Sequence, residues 1–394
     1  MSTSRPRLLV LASTFPAHPA DGTPAFVADL AVAQSKDFDT VVVTPRVPES
    51  VARESWSGVE VRRYRFFPRR WEDLAAGAIL ENLRSRPSRW LQVPLLFAAG
   101  ALAVRRAVRE TAPDVVHVHW IIPQGVMALL GARRSTWLVT TQGGDLYALD
   151  SRLVRAVKRR VLRRARAVTV MNAEMGERVV GLGVPADRVR VLSMGVALDR
   201  MPPPGPERIP GRLIFVGRLV EKKGLARLLD ALGDLPDDVA WSLEVVGDGP
   251  LRADLERQAA PLGDRVVFLG QRSSEDLGQR LVRASVAVFP SVRARSGDQD
   301  GLPVSLLEAL ATGTPVIASD LPGLADAVTG GDEPAGVVVA PGDAPGLAAA
   351  VTHLLADDEE RERMGRAAAK RATEFSVEVV GARYVSLLHE VLGR

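Results

Sequence analysis

Leu213-Ile-Phe-Val-Gly217-Arg218-Leu-Val-Glu-Lys-Lys223-Gly224-Leu225 carries the pattern from which the architecture follows. An apolar run, Leu213–Gly217, ends on a glycine, a polar loop follows, and a helical stretch, Leu225–Leu232, begins at once. A short apolar run that leaves through glycine into a loop and a helix is a β-loop-α unit. The alternation repeats along the chain. In the first half, strands are expected at Arg7–Ser13, Thr40–Thr44, Val59–Tyr64, Val115–His119, Trp137–Thr141, Ala167–Met171 and Val189–Ser193. In the second half they are expected at Leu213–Gly217, Ser242–Gly247, Val266–Leu269, Val286–Pro290, Pro315–Ser319 and Gly336–Ala340. Helices between them include Pro24–Ser35, Leu91–Glu110, Leu251–Ala260, Glu275–Ala284 and Ala344–Ala356. Short strands alternating with helices build parallel sheets covered on both faces, so the fold class is α/β.

A chain of 394 residues exceeds one ordinary domain and suits two of roughly 200 each. Met201-Pro-Pro-Pro-Gly205-Pro-Glu-Arg-Ile-Pro210 is a proline-rich connector, which sets the expected boundary: one domain over 1–200 and another over 201–375. Open parallel sheets bind ligands at the carboxyl ends of their strands. Two doubly wound domains on a short stiff linker are therefore expected to face a central cleft.

The absence of cysteine excludes disulfides, thiol nucleophiles and thiolate metal sites. No secretory leader is visible, since Leu8–Ala12 is too short for an apolar core of one. The longest apolar run, Val93–Val104, contains Pro94 and Gly100 and is too short to span a bilayer, so a soluble, cytoplasmic chain is expected. Charge is uneven: residues 1–200 hold 30 Lys+Arg against 18 Asp+Glu, whereas residues 201–394 hold 21 against 29. A basic half suits an anionic surface. Arg62–Arg70 with Trp71, and Arg84–Trp90, interleave arginine with aromatic rings, the composition of an anionic membrane interface. That adds a peripheral place on the inner face of the plasma membrane to the expectation. Nucleic acid is disfavoured, because no zinc-finger, RNP or basic-zipper pattern occurs.

Asp300-Gly301-Leu302-Pro303-Val-Ser-Leu-Leu-Glu308-Ala309 holds two carboxylates eight positions apart. Proline is favoured at the first helical position, and Gly313 closes a helix predicted over Pro303–Thr312. The amides near Gly301 and Leu302 then face outward and attract an anion. Carboxylates at either end accept hydrogen bonds from sugar hydroxyls. The spacing suits a sugar, a ribose and a diphosphate together, that is, a nucleotide-sugar.

This segment resembles the Glu-x7-Glu motif of retaining glycosyltransferases of the family-four (group 1) type, which have the two-domain GT-B fold. Asp300 stands where those proteins usually carry Glu. The resemblance extends over essentially the whole chain. It implies a metal-independent, retaining transfer of a hexose from a UDP- or GDP-linked donor to a hydroxyl acceptor, in cell-envelope glycan, glycolipid or glycoside synthesis. It also implies that residues 376–394 form a helix packing back on the first domain. Asp300 would contact the donor sugar and Glu308 the ribose, with Gly301, Leu302 and Pro303 lining the donor.

Gly217 permits a tight strand exit, and Arg218 and Lys223 are two cations five apart that can converge on a diphosphate. The family has Arg and Lys at those positions, and Lys222 is expected to be their surface neighbour. Preorganised positive charge at the leaving group is worth on the order of 3 kcal/mol per donor. Gly270-Gln271-Arg272 follows another strand, and Arg272 is expected at the nucleobase.

In the first half, alternation puts His117 and His119 on one side of a strand, with His119 at its carboxyl end. The family pattern implies that His119 touches the transferred sugar or helps deprotonate the acceptor, tasks that a pKa near neutrality suits. In Thr14–Pro24, Gly22, Thr23 and Pro24 make a second anion-friendly turn on the donor side, and His18 is an acceptor-side candidate. The loop is not GxGxxG and no GxxxxGK[ST] occurs, which disfavours dehydrogenases and P-loop ATPases. Thr140-Thr-Gln142-Gly143-Gly144-Asp145 departs from the family's His-Gly-x-Asp at Gln142; Gln142 is a further acceptor-side candidate, and Asp145 either orients an acceptor hydroxyl or holds the loop. Asp298-Gln299-Asp300 and Asp37-Phe38-Asp39 spell Asp-x-Asp, but no metal or other cofactor is expected. The competing functions are a sugar-nucleotide epimerase of the same architecture and a non-catalytic sugar-nucleotide-binding protein.

Overall fold

The computed structural model describes residues 5–18, 21, 23–77, 79–148, 150–205 and 208–393. The chain divides into two compact units: Met1–Met194 together with Val377–Arg394, and Gly195–Ser376. The first holds β1 (Arg7–Leu11), β2 (Asp39–Pro45), β3 (Arg53–Trp56), β4 (Val59–Tyr64), β5 (Val115–His119), β6 (Thr136–Thr140), β7 (Ala167–Val170) and β8 (Val189–Val191). Their order in one sheet is β3-β4-β2-β1-β5-β6-β7-β8. Every pairing is parallel except β3 with β4. All five residues of β5 are buried, as a strand covered by helices on both faces requires.

The second unit holds β9 (Ile209–Val216), β10 (Ser242–Val246), β11 (Val266–Gly270), β12 (Ala284–Phe289), β13 (Val316–Ser319) and β14 (Gly336–Val339), all parallel in the order β11-β10-β9-β12-β13-β14. Side chains alternate across this sheet. Leu213 and Phe215 enter one buried apolar cluster, while Ile214 and Val216 enter the other.

Four expectations need correction. β3 was not predicted; it forms a hairpin with β4 through Ser57 (φ 47) and Gly58 (φ 88), a pair of left-handed positions that twists with the strands. Its half-exposed pattern lacks the apolar run that marked the others. The division falls between Met194 and Gly195 rather than inside the proline-rich stretch, because that stretch is docked on the second unit. There Arg208 donates to the carbonyls of Ala284 (2.7 Å) and Gly313 (2.6 Å). β9 starts earlier than expected and carries Pro210 and Gly211 within it; the positive φ of Gly211 (72°) and a register shift opposite Ala284–Val286 mark a bulge.

The fourth concerns the apolar run around Val93. It belongs to a helical segment, Pro87–Thr111, of 25 residues, long and apolar enough by length and composition to cross a membrane. Leu96, Gly100, Val104 and Ala107 nevertheless form a buried stripe at helical spacing. A Cβ on Gly100 would come within 3 Å of Met127, so this stripe is fitted closely to the helix Val126–Gly131.

The helix Val377–Leu392 returns to the first unit. It buries Val377, Val380, Tyr384, Leu387, Leu388 and Val391 on one face. Gly381 meets Ala33 of the helix Phe26–Gln34, and His389 lies against Phe38 at 5.0 Å between ring centres.

Candidate functional site

Read outward from the middle, each sheet has the order of a doubly wound nucleotide-binding fold, in which the winding reverses between the first and fourth parallel strands. Loops diverge there and leave room at the carboxyl ends of the strands. In the second unit the reversal lies between β9 and β12, so the segments after them, 217–224 and 290–303, face the same opening.

Glycine brings these segments together. A Cβ on Gly224 (φ 68) would overlap the Pro290 carbonyl oxygen, and one on Gly247 (φ 134) the Gly217 oxygen. Only a residue without a side chain allows such backbone approach. Val292 N–H then donates to Lys222 O at 2.8 Å. The methylenes of Lys223 lie over Gly217, 3.3 Å from where a Cβ would stand. This aims the Lys223 ammonium at Asp300, with 2.9 Å between Nζ and Oδ2. Ser291 donates its hydroxyl to the same oxygen at 2.8 Å. Lys222 is not a mere surface neighbour: its ammonium bridges Asp298 (3.1 Å) and Asp300 (3.7 Å).

Asp300 is buried, and burial pushes its carboxyl up. The charges of Lys223 and Lys222 and the hydrogen bonds from Lys223 and Ser291 outweigh that, holding it below the ordinary carboxylate value. Asp300 is therefore a carboxylate at neutral pH. Two lysines and two aspartates cancel formally, and Arg218, half-buried, directly follows Gly217.

The helix expected from Pro303 spans Val304–Ala311, with Pro303 (φ −66, ψ 133) as its cap rather than its first residue. Its fixed φ serves either position, which is why sequence placed it one residue inside. Ser305 ties the first turn to the end of β9 by donating to Val216 O at 3.3 Å. Gly301 is buried, Leu302 packs against the core, and Glu308 sits half-buried in the second turn. Gly313 (φ 64) closes the helix as expected. Arg272 stands apart. It is exposed, paired with Asp276 at 3.5 Å, and follows the edge strand β11, about 10 Å (two strand spacings) from β9. Among the described residues no three His, Asp or Glu side chains form a metal-binding group.

In the first unit the reversal lies between β1 and β5. His119 ends β5, buried, with its Nδ1 lacking a partner among the described residues. Burial lowers its pKa to about 3, so the imidazole is neutral, not poised near neutrality as expected. His117 stacks on it at 4.1 Å between ring centres. His117 is itself fixed by Gln34 (3.2 Å) and Thr140 (2.7 Å), and Thr140 continues through Thr169 to the Tyr384 hydroxyl.

Gln142, just past β6, likewise keeps a buried amide nitrogen without a partner among the described residues. Asp145 braces its own loop. It accepts from Ile121 N–H (2.6 Å), Thr141 hydroxyl (2.8 Å) and Gln142 N–H (3.0 Å), which occupies both oxygens and weakens its case as an acceptor ligand. Near β1, His18 pairs with Glu49 at 3.3 Å. The Thr23 amide, expected to meet an anion, donates instead to Asp21 at 3.0 Å, so a carboxylate already fills that turn. The following helix starts at Phe26 rather than Pro24. Gly22 lies outside the described residues.

Sequence reasoning missed Ser291, Gln124 and the buried chain from Gln34 to Tyr384. Gln124 is buried in the turn after β5 with both amide atoms unpartnered among the described residues. An orphaned amide costs about 1–3 kcal/mol. Its only signal in sequence was its place five residues beyond a strand end; the hydrogen-bond partners of the others are distant in sequence.

Residues 21–195 match the family description "Glycosyl transferase 4-like domain", and residues 206–371 match "Glycosyl transferases group 1". The chain is 30% identical over 310 residues to 2-deoxystreptamine glucosyltransferase of Streptomyces kanamyceticus, covering 71% of this chain and 78% of that one. Several other curated relatives are matched over only 38% to 66% of their own length. Among solved structures, sucrose-phosphate synthase of Thermosynechococcus elongatus superposes with a TM-score of 0.79 at 22% identity, covering 99% of this chain and 100% of that one. HepE of Anabaena in complex with UDP-glucose gives 0.71 at 17% identity over 98% and 99%. The two family descriptions take up opposite halves, the glucosyltransferase match spans most of both proteins, and the sheets repeat the doubly wound order; the chain belongs to the group 1 glycosyl transferases and has their GT-B fold.

Proposed function

We propose that this protein transfers a hexose from a UDP- or GDP-linked donor to a hydroxyl, with retention of anomeric configuration and without a metal ion. The observation that carries this reading is the charged group at the β9–β12 reversal. Lys223 is held 2.9 Å from a buried Asp300, in the loop that also carries Arg218, and Asp300 shortly precedes the helix Val304–Ala311. An ammonium has three donors, so pairing with Asp300 leaves Lys223 capacity for a phosphate oxygen. Arg218, Lys223 and the N-terminus of the helix Val304–Ala311 stabilise charge on the departing diphosphate. Asp300 accepts from hydroxyls of the donor sugar and Glu308 from the ribose. The neutral His119 exchanges a hydrogen bond with the transferred sugar, for which a pKa of about 3 leaves it uncharged. Attack occurs from the face the diphosphate leaves.

The capture of UDP-glucose by the structural neighbour HepE supports a UDP-sugar among the candidate donors. The acceptor is a hydroxyl on a lipid-linked glycan or a small glycoside, and the protein works in the cytoplasm, peripheral to the membrane. The test is a thermal-shift panel of UDP-, GDP- and ADP-sugars followed by acceptor labelling. A donor at one hundred times its Kd adds about 2.7 kcal/mol. A panel with no stabilising donor, or diphosphate release without acceptor labelling, overturns the transferase reading; sugar interconversion without release identifies an epimerase.

A further inference from the structure

The helix Gln92–Thr111 is inverted relative to an ordinary surface helix. Its inner stripe is in the core, yet its outer stripe, Leu91, Leu95, Ala98 and Leu102, has no charge for three turns. Leu91 is 72% exposed, Leu102 67% and the adjoining Trp90 60%. A second exposed indole, Trp71, is anchored near the start of this helix, where its backbone carbonyl accepts from Gln92 Nε2 at 2.8 Å. Contiguous exposed apolar surface of this kind marks an interaction site.

The charge around it says what fits. Residues 61–110 hold 11 Arg and 4 acidic residues; Arg62 and Arg63 pair with Glu60 and Glu54 in the sheet, whereas Arg69, Arg70, Arg84 and Arg86 are exposed. Arg70 lies over the Trp71 ring at 3.8 Å, and Leu102 is followed by Arg105, Arg106 and Arg109, with Glu110 paired to Arg106 at 2.7 Å. A second copy of this chain would bring two such basic faces together, so self-association here is opposed by charge. The inner stripe seated against Met127 ties the helix to the first unit and leaves the outer face to meet a partner. Indoles beside arginines match the boundary between headgroups and acyl chains.

We propose that this face, centred on Trp71, Trp90, Leu91 and Leu102, docks the protein flat on an anionic lipid surface. The inference rests on the peripheral location proposed above and names the surface responsible. Apolar side chains enter the interfacial layer while the flanking arginines meet acidic headgroups, each worth about a fivefold gain in partition.

The test uses the full chain with vesicles of phosphatidylcholine alone or with added phosphatidylglycerol. Binding is expected only with the anionic lipid, falling as salt rises, with a blue shift of tryptophan emission. Trp90→Ser with Leu91→Glu should weaken binding at least tenfold. Arg69→Ala with Arg70→Ala should weaken it about fivefold per arginine. All four side chains are exposed and outside the donor site, so the melting temperature and diphosphate release from a soluble donor should stay at parental levels. Absence of binding to anionic vesicles at low salt, or variants that bind like the parent, overturns the proposal. So does a concentration-dependent dimer that Leu91→Glu dissolves. A parent that binds vesicles but never releases diphosphate refutes the transferase reading and leaves the docking face standing.

Discussion

Lys223→Met separates the two tasks given to one ammonium. Coulomb attraction at an effective dielectric of 20 is about 6 kcal/mol for charges 2.9 Å apart and about 4.5 kcal/mol at 3.7 Å, the two lysine distances from Asp300. These are gross attractions, offset by burial. Their ratio still decides the outcome, since Lys222 keeps most of the compensation and Asp300 is not left as an unpaired buried charge. The variant should therefore fold. It loses one leaving-group donor, about 3 kcal/mol, which corresponds to roughly a hundredfold in kcat/KM. The pH dependence carries the second signature. Asp300 is held below its ordinary value, so its contribution is present above the ordinary carboxylate range and is lost as pH falls below it. Without Lys223 the Asp300 carboxyl titrates at higher pH, and the acid limb of kcat/KM moves up with it. Diphosphate release across a pH series, with thermal melts at each point, reads both effects, and Lys223→Arg should restore the limb. A Lys223→Met protein within threefold of the parent, or one as slow as predicted with an unmoved acid limb, would refute the shared role.

Arg218→Ala should lower turnover at least about a hundredfold while the second unit still folds, because a guanidinium at the leaving group stabilises charge that develops in the transition state; diphosphate release and a melting curve check this. His119, with a pKa of about 3, should produce no inflection in kcat/KM between pH 5 and 8. Its stabilising contribution is complete above the ordinary value of 6.5 and is lost as pH falls toward 3, by about 1.4 kcal/mol per pH unit. His119→Asn should flatten that slope, measured by denaturant unfolding at several pH values. An imidazole titrating near 6.5 by NMR would contradict the burial argument.

The alternation of apolar runs with helices made both sheets legible, because buried parallel strands are continuous apolar segments bounded by glycine and polar loops. β3 escaped because its edge position leaves it half exposed and polar, so its hairpin rests on Ser57-Gly58 alone. In the donor region the residue types at 218, 223, 300 and 308 were legible from spacing and resemblance. What they touch was not. Lys222 looked like a surface residue, yet a backbone contact through Gly224 and Pro290 folds its loop against Asp298. For Asp145 the structure shows the loop-holding role, and the Thr23 amide before the first helix is bonded to Asp21; sequence names such polar groups but not the nearby amides and carboxylates they bond. Burial also inverted the expectation for His119, since periodicity gives the face of a strand but not the depth of the layer above it.

The second unit is continuous in sequence, whereas the first is closed by the helix Val377–Leu392. Six buried side chains on that helix are worth on the order of 10 kcal/mol, comparable to the whole stability of a domain. During synthesis the amino-terminal sheet must therefore wait, its groove beside Ala33 and Phe38 uncovered, until translation has passed residue 392. The part begun first is completed last, and the nascent chain carries an open apolar seam through the making of the entire second unit.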